Sequence, residues 1–322
     1  MKFSILAPGN IANSMAAAVT KLNEIECYAA ASRTLEKAQQ FADKWGFQKA
    51  YGSYEEMLED PEVELVYVAT PHSHHFQYAK MCLEYGKHVL VEKPITVNAA
   101  QAEELFALAK EKNLLVAEAM WSRYMPVRKM VDTLIAEGEI GQVSFLSANL
   151  GFNLSHVERM QKPELAGGAL LDLGVYPINF ALMTIHSEVK ELRASVIKSP
   201  EGVDWINTIT LIFEDGKVAD LHSNMLSQTD CHGVISGDKG YMVIDYIPNC
   251  EEIRVFDLER RLKTIYKVPE KINGYEYEVL ACKKAIEEGK LECEEMPHTE
   301  ILRVMKMMDQ VRESWGMKYP CE

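Results

Sequence analysis

Short apolar runs alternate with amphipathic stretches through the first 120 residues. "FSILA" (3–7), "ECYAAAS" (26–32), "ELVYVAT" (64–70), "KHVLVEK" (87–93) and "LLVAEAM" (114–120) are apolar or small residues bounded by polar ones, the pattern of buried strands. Between them lie helical stretches: "NIANSMAAAVTKL", "TLEKAQQFADKWG", "YEEMLED", "HFQYAKMCLEYG" and "NAAQAEELFALAKEKN", with a short extended piece at "KAYGS". Thr34 and Asn98 stand where N-caps belong, and Gly46 where a helix would stop. Strand and helix in alternation predict βαβ units, hence a doubly wound parallel sheet covered on both faces.

The rhythm changes after residue 123. One helix is predicted over 126–137. Strand-like stretches then follow: "GQVSFLSANLGF", "VKELRASVI", "WINTITLIFEDGKVADLHSNML", "HGVISGDKGYMVIDY" and "EEIRVFDL". Asp215-Gly216 and Asp238-Lys239-Gly240 read as hairpin turns, which favours a mostly antiparallel open sheet. A helix near 168–185 interrupts the strands, and two more close the chain near 275–289 and 297–314. The expected organisation is a domain at 1–122 and an α+β domain at 123–322, with the last helices able to pack back on the first domain.

Composition narrows the function classes. The chain has 322 residues, 48% hydrophobic and 25% charged, which is ordinary for a globular protein of about two domains. Its formal charge of −14 argues against a nucleic-acid partner, because phosphate binding wants a basic face. The seven cysteines form no C-x-x-C pair or disulfide framework, as expected for a cytoplasmic protein. "MKFSILAPGNIA" lacks the apolar core of a signal peptide, and no run of apolar residues approaches membrane-span length, so no membrane partner is expected.

The first βα turn, "ILAPGNIA", resembles the dinucleotide fingerprint G-x-G-x-x-G/A, with Ala7, Gly9 and Ala12 at its three positions and Asn10 and Ile11 opening the helix. The middle glycine, which lets the backbone approach a pyrophosphate, is kept; the first is replaced by Ala7. A plain βα turn is the alternative for these residues taken alone. The second strand ends at Ser32 and Arg33, where an acid would bind a ribose 2′-OH and an arginine accommodates a 2′-phosphate, so the cofactor expected is NADP, with NAD possible. The other account of Arg33 is a solvated residue at a helix start. Thr70, Pro71, His72 and His75 follow the next strong strand and are expected near the cofactor. With no acid or cysteine beside His72, His74 and His75, no metal is assigned there.

Lys93 stands with Glu92 and Pro94 at the carboxyl end of a predicted strand, the edge where ligands of open α/β sheets bind. The second stretch with chemistry is "AGGALLDLGVYPINF" (166–180). Asp172 and Tyr176 are four apart, one face of a helix, although Gly174 and Pro177 make that helix irregular. Taken singly, Lys93 could be an exposed strand-end lysine, Asp172 a turn cap, and Tyr176 a packed core residue.

"VLVEKP" and "GGALLDLGVYP" resemble the glucose–fructose oxidoreductase / inositol dehydrogenase / MocA (Gfo/Idh/MocA) family, and "VATPHSHHFQYA", "AEAMWSRYMP" and "LIAEGEIGQV" extend the resemblance over nearly the whole chain. "AYGSYEEML", "EKPITVNAAQ" and "VISGDKG" are most similar to its dimeric dihydrodiol dehydrogenase / NADP-dependent D-xylose dehydrogenase branch. The resemblance implies a Rossmann domain and catalytic roles for Lys93, Tyr176 and Asp172. It also implies a substrate pocket that includes Trp121, Arg123 and Phe152. Asn179 stands where many members carry a second acid. The implied activity is NADP-dependent hydride transfer at a secondary alcohol or hemiacetal carbon of a sugar or cyclic diol. An NAD-dependent inositol-type or other polyol dehydrogenase, and a non-catalytic nucleotide-sensing regulator, are the rival functions. A broad apolar sheet face in the second domain would be covered by a symmetric copy, giving a homodimer or a dimer of dimers.

Overall fold

The apolar runs of the first third become parallel strands with helices between them: Lys2–Leu6 (β1), Asn10–Val19 (α1), Glu26–Ala31 (β2), Leu35–Trp45 (α2), Lys49–Tyr51 (β3), Tyr54–Glu59 (α3), Leu65–Val68 (β4), His75–Glu84 (α4), His88–Glu92 (β5), Ala99–Lys112 (α5) and Val116–Ala119 (β6). β4 and β6 are buried at every position, which is why β4 reads as an unbroken apolar run and β6 as one broken only by Glu118, rather than as alternating strands. The strand order is β3-β2-β1-β4-β5-β6, all neighbours parallel. Order reverses between β1 and β4, so the loops leaving their carboxyl ends diverge and open a crevice. Asn98 caps α5 by accepting from Gln101 N at 2.9 Å. Thr34 occupies the N-cap of α2 without a side-chain bond, and Gly46 ends that helix in the left-handed region.

The structure, a computed structural model, describes residues 1–322 and divides into two units. The first comprises Met1–Tyr124 and Lys271–Met305; the second comprises Met125–Glu270 and Lys306–Glu322. The second unit is thus not one continuous stretch from 123 to the end: the segment Lys271–Met305 returns to the first unit, in line with the expectation that the last helices could pack back there. Glu276–Glu287 (α8) packs on α1, and its apolar positions Val279, Cys282 and Ala285 are buried in the first unit. His298–Ser314 (α9) begins in the first unit and ends in the second.

The second unit holds Pro126–Ala136 (α6), Val143–Gly151 (β7), Val175–Thr184 (α7), Val189–Lys198 (β8), Asp204–Phe213 (β9), Val218–Asn224 (β10), Gly233–Gly237 (β11), Gly240–Ile244 (β12), Glu252–Phe256 (β13) and Leu262–Lys267 (β14). They form an eight-stranded sheet, β14-β13-β12-β11-β7-β10-β9-β8, antiparallel except for the β7–β10 pair. The hairpins β9–β10 and β11–β12 turn at the predicted Asp-Gly and Asp-Lys-Gly positions. One sheet face packs on α7. Cross-strand partners Phe256, Tyr241, Ser236, Phe145, Val218 and Ile212 form a continuous row on the other face. Tyr241 and Phe256 stack there, ring centroids 4.9 Å apart.

The helical run Pro163–Thr184 is long and apolar enough to cross a membrane by length and composition, contrary to the sequence reading that no run approaches that length. Its window is 89% buried within the protein, so its apolarity is accounted for by the core it occupies. Its entry is fixed by Asp204. Oδ2 of this buried carboxyl accepts from Leu170 N at 2.7 Å and from Asn207 Nδ2 at 2.9 Å. A Cβ on Gly168, whose φ is +112°, would lie 2.2 Å from Asp204 Oδ1, and one on Gly167 would lie 2.5 Å from Arg159 O. Both glycines are therefore dictated by close approach.

Burial pushes the Asp204 carboxyl up to about 7, although both N–H bonds oppose the shift. The folded state thus binds more protons than the unfolded one, whose aspartate titrates near about 3.9. This contribution to stability is complete below the unfolded value and is lost as pH rises through 7. Asp204→Asn keeps both N–H bonds through its single oxygen. Thermal melts from pH 5 to 8 should therefore show the wild type losing several degrees relative to the variant; parallel melts at every pH would contradict the assignment.

Candidate functional site

The loop after β1 carries the nucleotide signal. Ala7 sits at φ +65°, the left-handed conformation that a fingerprint glycine would adopt freely, and its N–H donates to Ala31 O at 3.0 Å. The tight turn therefore forms without the first glycine. A Cβ on Gly9 would meet only Ala7 O at 3.9 Å, which leaves the backbone open to a ligand. Gly9 is the N-cap of α1 and no side chain caps that helix, so the N–H groups of Asn10 and Ile11 face the turn without side-chain acceptors. Ala12 is fully buried against the sheet. Ser32 is buried and its N–H donates to Tyr51 O at 3.2 Å, whereas Arg33 is exposed and near Tyr54, whose phenol burial pushes up while the guanidinium opposes the shift. An open crevice edge, uncapped helix amides and an exposed guanidinium at the end of β2 fit a dinucleotide with a 2′-phosphate.

Three buried side chains pin the loop that carries Lys93. Glu92, at the end of β5, accepts from Tyr67 Oη and from Lys93 N (3.1 Å). Glu118 of β6 accepts from Ile95 N at 2.8 Å. His75 is fully buried, with Nδ1 2.7 Å from Pro94 O and Nε2 2.9 Å from Thr70 O. Burial and the neighbouring His72 and Lys93 charges drive the His75 pKa down to about 3, so the ring is neutral and donates through one nitrogen at a time. The Lys93–Pro94 peptide is cis. A lysine can stand where strand order stops because the chain on either side of it is tied down by groups hidden from water.

The three histidines do not converge. His72 lies edge-on to His75 at 5.6 Å, while His74 stacks on Tyr78. Pro71 is exposed beside them. Of the pocket candidates in this unit, Trp121 stacks on Tyr275 (4.5 Å, 24°), and Arg123 is buried with Nη2 3.3 Å from Glu300 Oε2. Arg123 is thus engaged by α9, a partner that its sequence motif does not announce.

In the second unit the chain passes through a π-type turn, Leu170–Gly174, and runs straight into α7. That turn is the irregularity implied by Gly174 and Pro177. Asp172 is buried and accepts from Arg159 Nη2 at 3.0 Å. Every residue from 166 to 183 is buried except Tyr176, the one side chain of this apolar run that reaches solvent. A structural tyrosine would be expected to hide its ring with the others; this one is presented. Asn179 turns back to donate to Val175 O at 2.9 Å inside its own helix. Phe152 follows β7, half-buried, its N–H donating to Asn224 O.

Sequence reasoning missed Glu118, Glu278, Arg159 and Asp204. Glu278 is completely buried in α8, with neither carboxyl oxygen hydrogen-bonded, and burial together with Glu92 and Glu118 holds its pKa well above the usual carboxylate range. An acid in an otherwise apolar strand, "LLVAEAM", was the one available signal for Glu118.

Residues 1–120 match the profile of an oxidoreductase family with an NAD-binding Rossmann fold, and residues 129–243 match the GFO/IDH/MocA C-terminal domain. The chain is 33% identical to trans-1,2-dihydrobenzene-1,2-diol dehydrogenase of Xenopus tropicalis over 99% of both chains. It is 31% identical to the Homo sapiens protein of that name, over 99% of this chain and 98% of the relative. A 3-ketoreductase from Actinomadura kijaniata, solved with NADP and TDP-benzene, superposes with a TM-score of 0.88 at 25% identity, covering 97% of both chains. Levoglucosan dehydrogenase in complex with NADH has the same fold, with a TM-score of 0.87 at 19% identity over 98% of this chain and 97% of that one.

The turn at Ala7 can be tested by substitution. A left-handed alanine costs about 1–2 kcal/mol, partly offset by the extra unfolded-state freedom of glycine, about 0.4–1 kcal/mol. Ala7→Gly should therefore raise stability in urea denaturation by up to ~1 kcal/mol. A net loss would mean that Ala7 is not under that strain.

Proposed function

The chain belongs to the Gfo/Idh/MocA oxidoreductase family, and from that premise we propose that it is an NADP-dependent dehydrogenase acting on a secondary alcohol of a cyclic diol or sugar, with Lys93 and Tyr176 handling the proton. Full-length similarity to relatives named as dihydrodiol dehydrogenases supports the substrate class, and the NADP-bound ketoreductase supports the cofactor. The observation that carries the reading is Tyr176, half-buried and the single side chain not fully hidden in an eighteen-residue buried stretch, 166–183.

Bound NADP would supply or accept the hydride. The α1 amides at Asn10 and Ile11, the bare Gly9 and the guanidinium of Arg33 would hold its phosphates. Thr70, Pro71, His72 and the Glu92–Lys93–Pro94 corner would border its reactive end. Oxidation of an alcohol also releases a hydroxyl proton. A free phenol titrates near about 10, too high for an efficient base at neutral pH. A neighbouring ammonium favours the phenolate, and each unit of depression corresponds to about 1.4 kcal/mol of differential interaction. In this reading Tyr176 accepts the proton, Lys93 donates a hydrogen bond to the developing alkoxide, and the Arg159–Asp172 pair steadies the turn from which Tyr176 projects. In reduction the same phenol returns the proton.

The outward row Phe256, Tyr241, Ser236, Phe145, Val218 and Ile212, apolar but for the serine, supports a homodimer, since leaving such a sheet face wet costs free energy. Exposed Ile265 (43%) and Ile197 (59%) lie on neighbouring strands.

Positioned acid–base groups contribute about 10²–10⁴-fold. Tyr176→Phe and Lys93→Met should each lower kcat for diol or aldose oxidation by about 100-fold or more while NADPH still quenches protein fluorescence. Near-normal turnover of Tyr176→Phe would refute the proton-transfer role. Arg33→Ala should weaken NADPH about tenfold or more and leave NADH within about twofold, since a charge-assisted phosphate contact contributes about 1.5–3 kcal/mol; equal losses would point to NAD. Sedimentation should give a dimer for the wild type and a monomer for Phe145→Glu/Tyr241→Glu, and a monomeric wild type would refute the interface.

A further inference from the structure

Beneath the Lys93 loop lies a set of ionisable groups larger than the proton chemistry requires. Glu118 projects from the buried strand β6, and Oε1 accepts from Ile95 N, two residues past Lys93. Its other oxygen, Oε2, has no hydrogen-bond partner. Close enough to act on it electrostatically are Glu92 and Lys93 from the end of β5, Arg123 and Tyr124 from the segment after β6, and Glu278 from α8. Tyr124 Oη donates to Glu118 O at 2.9 Å, closing the strand end from that side. Arg123 is itself held by Glu300, so its charge is shared.

Glu92, Glu118 and Glu278 cannot all be ionised in a space without water, because like charges in low dielectric repel and each loses its hydration. Glu92 accepts a tyrosine hydroxyl and an N–H and is the best solvated of the three by protein groups. Glu278 accepts nothing and is held as the neutral acid. Glu118 stands between these extremes. One N–H, the Lys93 ammonium and the Arg123 guanidinium favour its anion, while burial and the Glu92 charge favour its acid, and its pKa is pushed up to about 7.

We propose that Glu118 is a positioning residue for Lys93: as an anion it holds the loop through Ile95 N and the ammonium through charge, and on protonation both holds weaken. The ionised carboxylate makes a charge-assisted bond to the backbone, roughly twice as strong as the neutral one. This inference rests on Lys93 being the working lysine of the proposed reaction, but its electrostatic coupling to Glu118 can be read without turnover.

The experiment is an infrared titration of protonated carboxyl groups in the full-length, NADPH-bound protein, paired with kcat–pH profiles. Wild type should lose carboxylic-acid intensity as pH rises through about 7 from both Asp204 and Glu118, and Glu118→Gln should lose only the Asp204 share. In Lys93→Met the midpoint of the Glu118 share should rise by about half a unit or more, since the cation that favours the anion is gone. Glu118→Gln can still accept from Ile95 N. It should cut kcat about threefold or more at pH 8, keep the NADPH affinity within about twofold, and give a flat profile where wild-type kcat falls on acidification through pH 7. An unchanged midpoint in Lys93→Met, or a Glu118→Gln profile that overlays the wild type, overturns the proposal. Turnover retained by Lys93→Met would instead sink the catalytic assignment, and the midpoint shift would still decide whether Glu118 and the lysine interact. That comparison needs only wild type and Lys93→Met, so poor folding of the glutamine variant leaves it intact.

Discussion

A lysine side chain is long and flexible, and holding it at one place in a crevice requires that its backbone not move. Three buried side chains meet that requirement here. Glu92 fixes Lys93 N, His75 reaches Pro94 O, and Glu118 fixes Ile95 N. Each comes from a different element (the end of β5, the start of α4 and the middle of β6), so the loop is braced from three directions. The cost is the burial of charges and potential charges, which the first unit meets by keeping His75 neutral and pushing Glu118 and Glu278 toward their acid forms.

The second unit solves a parallel problem by different means. Tyr176 is presented from a helix that is otherwise buried up to its last residue, Thr184, so its position follows from how rigidly that helix is seated. Close backbone approach at Gly167 and Gly168, the Asp204 bracket on Leu170 N and the Arg159–Asp172 pair define the entry, and the π-type turn then sets the phase of α7. The two halves of the proposed chemistry therefore rest on separate frameworks, one made of strand-end carboxylates and the other of a helix start.

Much of this was legible in the sequence, because local pattern and burial agree. Runs such as "ELVYVAT" are strands buried on both faces, Asp215-Gly216 turns where a hairpin must, and the E-K-P corner follows a strand as its proline implies. The nature of the nucleotide turn was legible too, but not that Ala7 would adopt a left-handed backbone. What stayed hidden depends on long-range return of the chain. Glu278 and Glu300 come back from the last fifth of the sequence to meet Glu118 and Arg123, and no periodicity in α8 or α9 marks those acids as inward-facing. The return of the last helices to the first domain could be expected from the sequence, but not its extent, Lys271–Met305. Arg159 lies thirteen residues from Asp172 across irregular chain, a spacing that carries no signal.

The central claim is that an ammonium from one framework and a phenol from the other act on one proton while the hydride moves. The most direct test is a double-mutant cycle on the single-turnover rate of hydride transfer, comparing wild type, Lys93→Met, Tyr176→Phe and the double variant with saturating cofactor. Groups that work as a unit give a double variant little slower than the worse single one. Losses that multiply fully would mean that the two residues act independently, and the shared-proton account would be wrong.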